Sequence, residues 1–128
     1  MNRILSAAMA VLAILAVTAC SSPGTTAVRA VPADEAVAML DGRTVIDVRT
    51  PAETADGTVA GAVNIDFQAP DFRERVAELD PAGSYLVYCR SGNRSAQAAA
   101  VMADLGFTDV VDGGGFGALV AAGAPTSP

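Results

Sequence analysis

The chain has 128 residues, enough for one domain, and its 8 basic residues are outnumbered by 14 acidic ones, for a formal net charge of −6. This acidic balance argues against a nucleic-acid partner. The sequence contains no histidine and only two cysteines. It therefore excludes imidazole general bases, Ser-His-Asp triads and cysteine-rich zinc sites. We expect neither a metal nor a cofactor.

The first twenty residues, MNRILSAAMAVLAILAVTAC, have the pattern of an export signal. Arg3 precedes an apolar run that is short for a membrane span and fits the h-region of a signal peptide. The run ends in VTAC, which resembles the lipobox of a bacterial lipoprotein. The resemblance implies that residues 1–19 are removed and that Cys20 is lipidated. The chain would then be exported and anchored to the bacterial cell membrane, facing away from the cytoplasm. An ordinary signal peptide with Cys20 near its cleavage site is the alternative.

Polar and turn-forming residues flank the rest of the chain. SSPGTTA after Cys20 predicts a flexible tether over residues 20–30, followed by a domain over 31–125. The end of the chain, GAPTSP, has a similar composition, so residues 126–128 are expected to fray. Lipidation of Cys20 would also leave Cys89 without a disulfide partner in an exported compartment.

Strand and helix patterns alternate between these ends. Short β-branched or apolar runs predict strands at Val28–Val31, Thr44–Val48, Ala62–Ile65, 84–89 (SYLVYC) and 109–114 (DVVDGG). Apolar residues at helical spacing predict helices at 32–42 (PADEAVAMLDG), 70–81 (PDFRERVAELDP), 94–106 (RSAQAAAVMADLG) and 116–123 (FGALVAAG). This alternation is typical of an α/β domain with a mainly parallel sheet.

Cys89 lies between the predicted strand YLVYC and a helix, at the edge where open α/β sheets bind ligands. Gly92 allows the loop to curl, so that successive N–H groups can form an anion-binding nest next to the helix N-terminus. A thiol at the bottom of such a nest has a lowered pKa. The pattern therefore predicts a nucleophilic sulfur with a site for an anionic group bonded to it. The alternative is a small buried side chain that ends a core strand.

The predicted loop also carries polar and charged side chains. Ser95 is expected to cap the helix. Arg90 and Arg94 would lower the thiol pKa further if they lie close to the sulfur, and the alternative is that they are solvated at the surface. The complete candidate loop consists of Arg90, Ser91, Gly92, Asn93, Arg94 and Ser95.

Three segments together resemble rhodanese-like sulfurtransferase domains over about residues 31–125: YCRSGNRSAQAA, VIDVRTPAETADGTVAGAVNI and DVVDGGGFGALVAAGAPT. The first resembles the family's active-site loop. The resemblance implies a central, mainly parallel five-stranded sheet with helices on both faces. It also implies that Cys89 takes sulfane sulfur from a small donor such as thiosulfate. The persulfide would lie among the amides of residues 90–95 and pass its sulfur to cyanide, a small thiol or a protein thiol.

The sequence departs from the family pattern at two places. Thr58-Val59-Ala60 stands where the family often has His-Ile-Pro, and Phe116 stands where it often has Trp. Neither place is in the loop, so the departures bear on the substrate rather than on the sulfur chemistry. In such domains Asp47 and Arg49 are mainly structural, and we assign them no chemistry.

Two other functions use the same residue types. Phosphatases and arsenate reductases of this kind use a Cys-x5-Arg loop, whereas Cys89 and Arg94 have four residues between them. The shorter loop suits a persulfide sulfur better than a tetrahedral oxyanion. A persulfide carrier or thiol redox module at the cell surface would use the same residues without turnover, because a fold and a loop do not determine turnover.

The lipobox pattern predicts that Cys20 carries lipid. Membrane fractions from bacteria that express the full chain should retain the protein, since two or three acyl chains anchor a protein stably. Metabolic labelling with a fatty acid should mark the wild-type chain and not Cys20→Ala. Unlabelled wild-type protein cleaved at a site other than the bond before Cys20 would contradict the prediction.

Overall fold

The computed structural model describes residues 26–128. The predicted signal peptide, Cys20 and the first part of the predicted tether lie outside the described residues. Within 26–128, no helix has the length and apolar character that a membrane span requires. In chain order the elements are β1 (Val28–Ala30), α1 (Ala33–Met39), a 3-10 helix (Leu40–Gly42), β2 (Thr44–Asp47), α2 (Pro51–Thr54), β3 (Thr58–Val59), β4 (Val63–Asn64), α3 (Phe72–Ala77), β5 (Tyr85–Cys89), α4 (Asn93–Asp104), β6 (Val110–Gly115), α5 (Phe116–Ala121) and β7 (Thr126–Ser127).

The main sheet has five strands in the order β1-β6-β5-β2-β4, and every neighbouring pair is parallel. The predicted fold class is confirmed. All five residues of β5 are buried, as expected for the central strand of a parallel sheet. The carboxyl ends of β2, β5 and β6 meet at one edge of the sheet, and Cys89 lies there.

The side chains of β5 alternate between two cores, one on each face of the sheet. Tyr85, Val87 and Cys89 pack in the core that contains buried residues of α3 and α4. Leu86 and Tyr88 pack in the core that contains buried residues of α1 and α5. Because successive strand residues point to opposite faces, Cys89 faces α4 while its neighbour Tyr88 faces α5.

Strands lie beyond the expected domain limits at both ends of the described residues. Val28–Ala30, at the end of the expected tether, forms β1 and pairs with β6. Thr126–Ser127, in the tail that was expected to fray, forms β7 and pairs antiparallel with β3. Ala60 also donates a hydrogen bond to the Pro125 carbonyl at 2.8 Å. The polar composition of the tail indicated fraying, but composition carries no information about a partner strand distant in sequence.

A buried ion pair joins the end of β2 to its surroundings. The Asp47 carboxylate is completely buried and accepts hydrogen bonds from Arg49 Nη2 at 2.7 Å and from the Tyr88 hydroxyl at 2.6 Å. The Arg49 guanidinium also donates to the Gly57 carbonyl at 2.7 Å and lies 4.2 Å from the centre of the Phe116 ring. Burial and the bond to Asp47 raise the pKa of Tyr88 well above its ordinary value. Structural roles for Asp47 and Arg49 follow from these contacts.

This network predicts unequal costs for removing the two tyrosine hydroxyls of β5. Tyr88→Phe removes a donor to Asp47 and leaves the buried N–H of Val59, which donates to the Tyr88 oxygen at 2.9 Å, without a partner. We expect the free energy of unfolding in urea to fall by about 1–3 kcal/mol. Tyr85→Phe is the matched control, because its hydroxyl bonds the carbonyl of exposed Asp80, which water can satisfy. Equal losses in the two variants would contradict the assignment.

Candidate active site

The Cys89 thiol lies at the carboxyl end of β5 and is fully buried and free. The chain then turns through residues 90–92 and begins α4 at Asn93. Gly92 makes this turn with a positive φ of 97°, a conformation that side chains other than glycine rarely adopt. In this conformation its N–H points at the sulfur, 2.9 Å from Sγ. The turn therefore delivers a backbone donor directly to the thiol.

Hydrogen bonds from the loop and from the start of α4 lower the pKa of Cys89. Burial raises its pKa, but the N–H and hydroxyl of Ser95 and the N–H groups of Gly92 and Ser91 lower it, and the net shift is downward. The first turn of α4 contributes in the same direction, since the positive end of a helix dipole favours an anion. Cys89 therefore loses its proton more readily than an ordinary buried cysteine does, and no histidine is needed to remove that proton.

Consecutive glycines of β6 allow the strand to approach the loop closely. The register between β5 and β6 shifts after the Val87–Asp112 pair, so that one residue, Gly113, is left unpaired as a bulge. A Cβ atom on Gly115 would lie 2.7 Å from the Arg90 carbonyl oxygen, which is too close for any side chain. This part of the site was not predicted, although the GGG run is the signal that could have indicated it.

Arg94 binds a carboxylate rather than the sulfur. Its guanidinium forms a two-pronged ion pair with Glu53, with distances of 2.8 and 2.7 Å. Glu53 is held in turn by the N–H and hydroxyl of Thr50 in a capping box that begins α2. Arg94 first, and then the Thr50 N–H, lower the pKa of Glu53 to about 2. This role of Glu53 was not predicted, although Thr50-x-x-Glu53 is a recognisable capping-box pattern.

The other polar loop residues are exposed. Ser91 and Asn93 are at the surface, with Asn93 as the first residue of α4. Arg90 is exposed too, and it lines a cleft with a volume of about 620 Å³ beside the loop. The remaining lining residues are Arg49, Ala52, Glu53, Asp56, Phe116 and Gly117. Arg90 is therefore the residue of the candidate loop that contributes to the lining of this cleft.

Ser95 does not cap α4, and that expectation is wrong. The N-cap is Gly92, without a side-chain cap, and Ser95 is the third residue of the helix. Its hydroxyl oxygen lies 3.6 Å from the Cys89 sulfur and 2.7 Å from the buried carboxylate of Asp112 on β6. Asp112 was not predicted as a site residue, because only the sheet brings β6 beside the start of α4.

Within residues 26–128, no group of three or more His, Cys, Asp or Glu side chains could hold a metal.

The comparison with known families fits this geometry. A model of the rhodanese-like domain matches residues 32–119, which include β2, the cysteine loop and most of α5. The chain belongs to the rhodanese family. The structure also resembles solved structures of rhodanese-like domains. One crystal structure, of a rhodanese-related protein from Thermoplasma volcanium, is 32% identical with a TM-score of 0.69, over 77% of this chain and 97% of that one.

Curated relatives of this rhodanese are named sulfurtransferases. Thiosulfate sulfurtransferase 16 of Arabidopsis thaliana, a chloroplastic protein, is 35% identical over 99 residues, which is 69% of this chain and 82% of the relative. Thiosulfate sulfurtransferase PspE of Escherichia coli K12 is 36% identical over 70 residues, which is 55% of this chain and 67% of the relative. The likeness covers most of the described domain.

The contacts of Cys89 predict which loop residues lower the pKa of its thiol. We expect wild-type Cys89 to titrate below the reference thiol value of about 8.5. Gly92→Pro removes the N–H that donates to the sulfur and cannot adopt a positive φ, so it should raise the Cys89 pKa most. Arg94→Ala should raise it by only a fraction of the total shift, because Glu53 already binds the guanidinium.

Alkylation by iodoacetamide against pH measures these values on the full chain. Mass spectrometry of the Cys89 peptide separates its reaction from that of Cys20. If Arg94→Ala alone returned Cys89 to the reference value, the arginine would be the source of activation and not the amides.

Proposed function

We propose that this rhodanese carries sulfane sulfur as a persulfide on Cys89, from an anionic donor such as thiosulfate to a thiol or cyanide acceptor. The observation that carries the proposal is the buried Cys89 sulfur at the carboxyl end of β5, to which the Gly92 N–H donates at 2.9 Å. The N–H groups of Ser95, Gly92 and Ser91 lower the pKa of this thiol. An amide-lined thiolate is both a nucleophile and a site for the charge of a persulfide. The names of the curated relatives support thiosulfate as donor.

The reaction needs two displacements at one sulfur atom. The Cys89 thiolate attacks the outer sulfur of thiosulfate, the bond between the two thiosulfate sulfurs breaks, and sulfite leaves with the electron pair. The outer sulfur is now bonded to Cys89 as an anionic persulfide. An acceptor thiolate or cyanide then attacks this sulfur, and Cys89 leaves as a thiolate that needs no reprotonation for the next cycle.

The protein assists these steps through charge and position. The backbone N–H groups of the loop stabilise the anionic sulfur in the free and the persulfide enzyme, since their dipoles are already oriented. Exposed Arg90 attracts the anionic donor towards the cleft beside the loop. The ion pair of Arg94 with Glu53 ties the first turn of α4 to α2 and so holds the loop in place.

The position of Arg94 disfavours a phosphatase. In a phosphate-binding cysteine loop, the closing arginine must bind the phosphoryl oxygens. Here both ends of the Arg94 guanidinium are bound by Glu53, and this ion pair lowers the pKa of Glu53 to about 2. A persulfide carrier without turnover would use the same contacts. It would differ from the enzyme only in not catalysing the second displacement, in which the acceptor takes the sulfur.

The site of action that we propose is a bacterial cell membrane, on the side that faces away from the cytoplasm. The signal-peptide and lipobox patterns support a chain anchored through lipid on Cys20. In that position the domain could meet small donors and either small thiols or the thiols of a partner protein.

The sulfur-transfer role predicts loss of activity without loss of the fold when the thiol is removed. Cys89→Ala should abolish production of thiocyanate from thiosulfate and cyanide. After incubation with thiosulfate alone, the wild-type Cys89 peptide should gain the mass of one sulfur atom, and the variant peptide should not. Retained activity in folded Cys89→Ala protein would contradict the role.

Arg90→Ala is the matched control in the same loop. It should raise the KM for thiosulfate and leave the persulfide on Cys89 detectable at high donor concentration, because it removes a charge outside the sulfur nest. A wild-type chain that forms the persulfide but produces no thiocyanate would favour the carrier function.

A further inference from the structure

The Ser95 hydroxyl lies close to more hydrogen-bond acceptors than its single proton can bind. Its oxygen lies 2.7 Å from Asp112 Oδ1, 3.0 Å from the Gly92 carbonyl oxygen and 3.6 Å from the Cys89 sulfur. A hydroxyl has one proton to donate and two lone pairs to accept with. The three groups therefore compete, and the direction of the hydroxyl decides what the sulfur receives.

Asp112 is the strongest of these acceptors while Cys89 is a neutral thiol. It lies nearest, and charge-assisted hydrogen bonds are stronger than neutral ones. It is buried, with a relative exposure of 9%, and the same oxygen accepts the Gly114 N–H at 3.0 Å, which fixes its position beside the β6 bulge. With its proton on Asp112, Ser95 offers a lone pair to the Cys89 S–H.

Ionisation of Cys89 changes this competition. The thiolate has no proton to give to Ser95 and becomes a charged acceptor itself. The Ser95 hydroxyl can then turn from Asp112 to the sulfur, while Asp112 keeps the Gly114 N–H. The released thiol proton goes to solvent, and no other bond forms or breaks. The hydroxyl therefore has two positions, and stabilising the thiolate through it means giving up the bond to Asp112.

We propose that Asp112 is a positioning residue that competes with the Cys89 sulfur for the single proton of Ser95 and so limits how strongly the loop stabilises the thiolate. The limit matters because a thiolate that is stabilised too strongly is a weaker nucleophile. The inference rests on the proposed function only in taking Cys89 as the reacting thiol.

Other charged groups also lie near Cys89, Ser95 and Asp112. Arg94, on α4, senses the charge of Cys89, but its guanidinium is held by Glu53 on α2 and its pKa is raised chiefly by that bond. The negative charge of Asp66, which follows β4, also raises the pKa of Arg94. Asp112 is the carboxylate that bonds the Ser95 hydroxyl, so its replacement changes the competition directly.

Replacement of the carboxylate by an amide tests the proposal. In Asp112→Asn the Gly114 N–H holds the amide oxygen in place, so the geometry stays and the acceptor becomes weaker. We expect the pKa of Cys89, from iodoacetamide alkylation of its peptide in the full chain, to fall by about half a unit to one unit. A merely structural role would raise it instead, because a loosened loop loses its donors. An unchanged or raised pKa would overturn the proposal.

Asp109→Asn is the matched control, since Asp109 also bonds a serine hydroxyl, that of Ser84 at 2.8 Å, but precedes β6 at the opposite edge of the sheet. It should leave the Cys89 pKa unchanged. A fall equal to that of Asp112→Asn would show a general charge effect and would overturn the proposal.

Ser95→Ala separates competition for the proton from simple repulsion between charges. It removes the hydroxyl donor and should raise the Cys89 pKa, which also tests the proposal if Asp112→Asn does not fold. In the Ser95→Ala background, Asp112→Asn should lower the pKa by less than it does with Ser95 present. Equal shifts in the two backgrounds would mean that charge alone acts. These titrations use no sulfur donor, so they can fail while sulfur transfer succeeds, and the converse also holds.

Discussion

The buried ion pair of Asp47 and Arg49 is the interaction on which the rest of the active-site edge depends. Taking both charges out of water is costly, and the cost is offset only when every polar atom around them has a partner. Here the partners come from separate parts of the chain: the Tyr88 hydroxyl of β5, the Gly57 carbonyl before β3, and the Phe116 ring at the start of α5. The pair therefore joins the elements that surround the cysteine loop.

The same strand that completes this network carries the thiol on its other face. Tyr88 points into the core beside α5, and Cys89 points towards α4. Loss of packing on one face would therefore shift the sulfur on the other. The sulfur itself is activated by backbone N–H groups, which cannot move away as long side chains can, and by the short Ser95 side chain. The one loop arginine near it, Arg94, is committed to Glu53. A cysteine activated in this way depends on the backbone path, and hence on glycine at positions 92 and 115.

Periodic elements could be predicted from the sequence because their signals are local. β5, a short run of apolar residues, and α4, with alanines at helical spacing, appear within a few residues of where they were expected. Among residues 26–128, the elements that were not predicted are the short ones: α2, of four residues, and β3 and β7, of two residues each. A segment of two residues is too short to show periodicity. The pairing of β3 with β7 also depends on contact between Thr58 and Ser127, which lie far apart along the chain.

By itself, the sequence determined the α/β class, the strand-loop-helix placement of Cys89 and the glycine that lets the loop curl, because each of these follows from neighbouring residues. Only the tertiary structure decided the partners of the side chains. It directed Arg94 to Glu53 instead of the sulfur, and it turned Ser95 from a helix cap into a link between Cys89 and Asp112. These contacts join residues from different strands and helices, and the side chains come within bonding distance only when the sheet brings those elements to one edge.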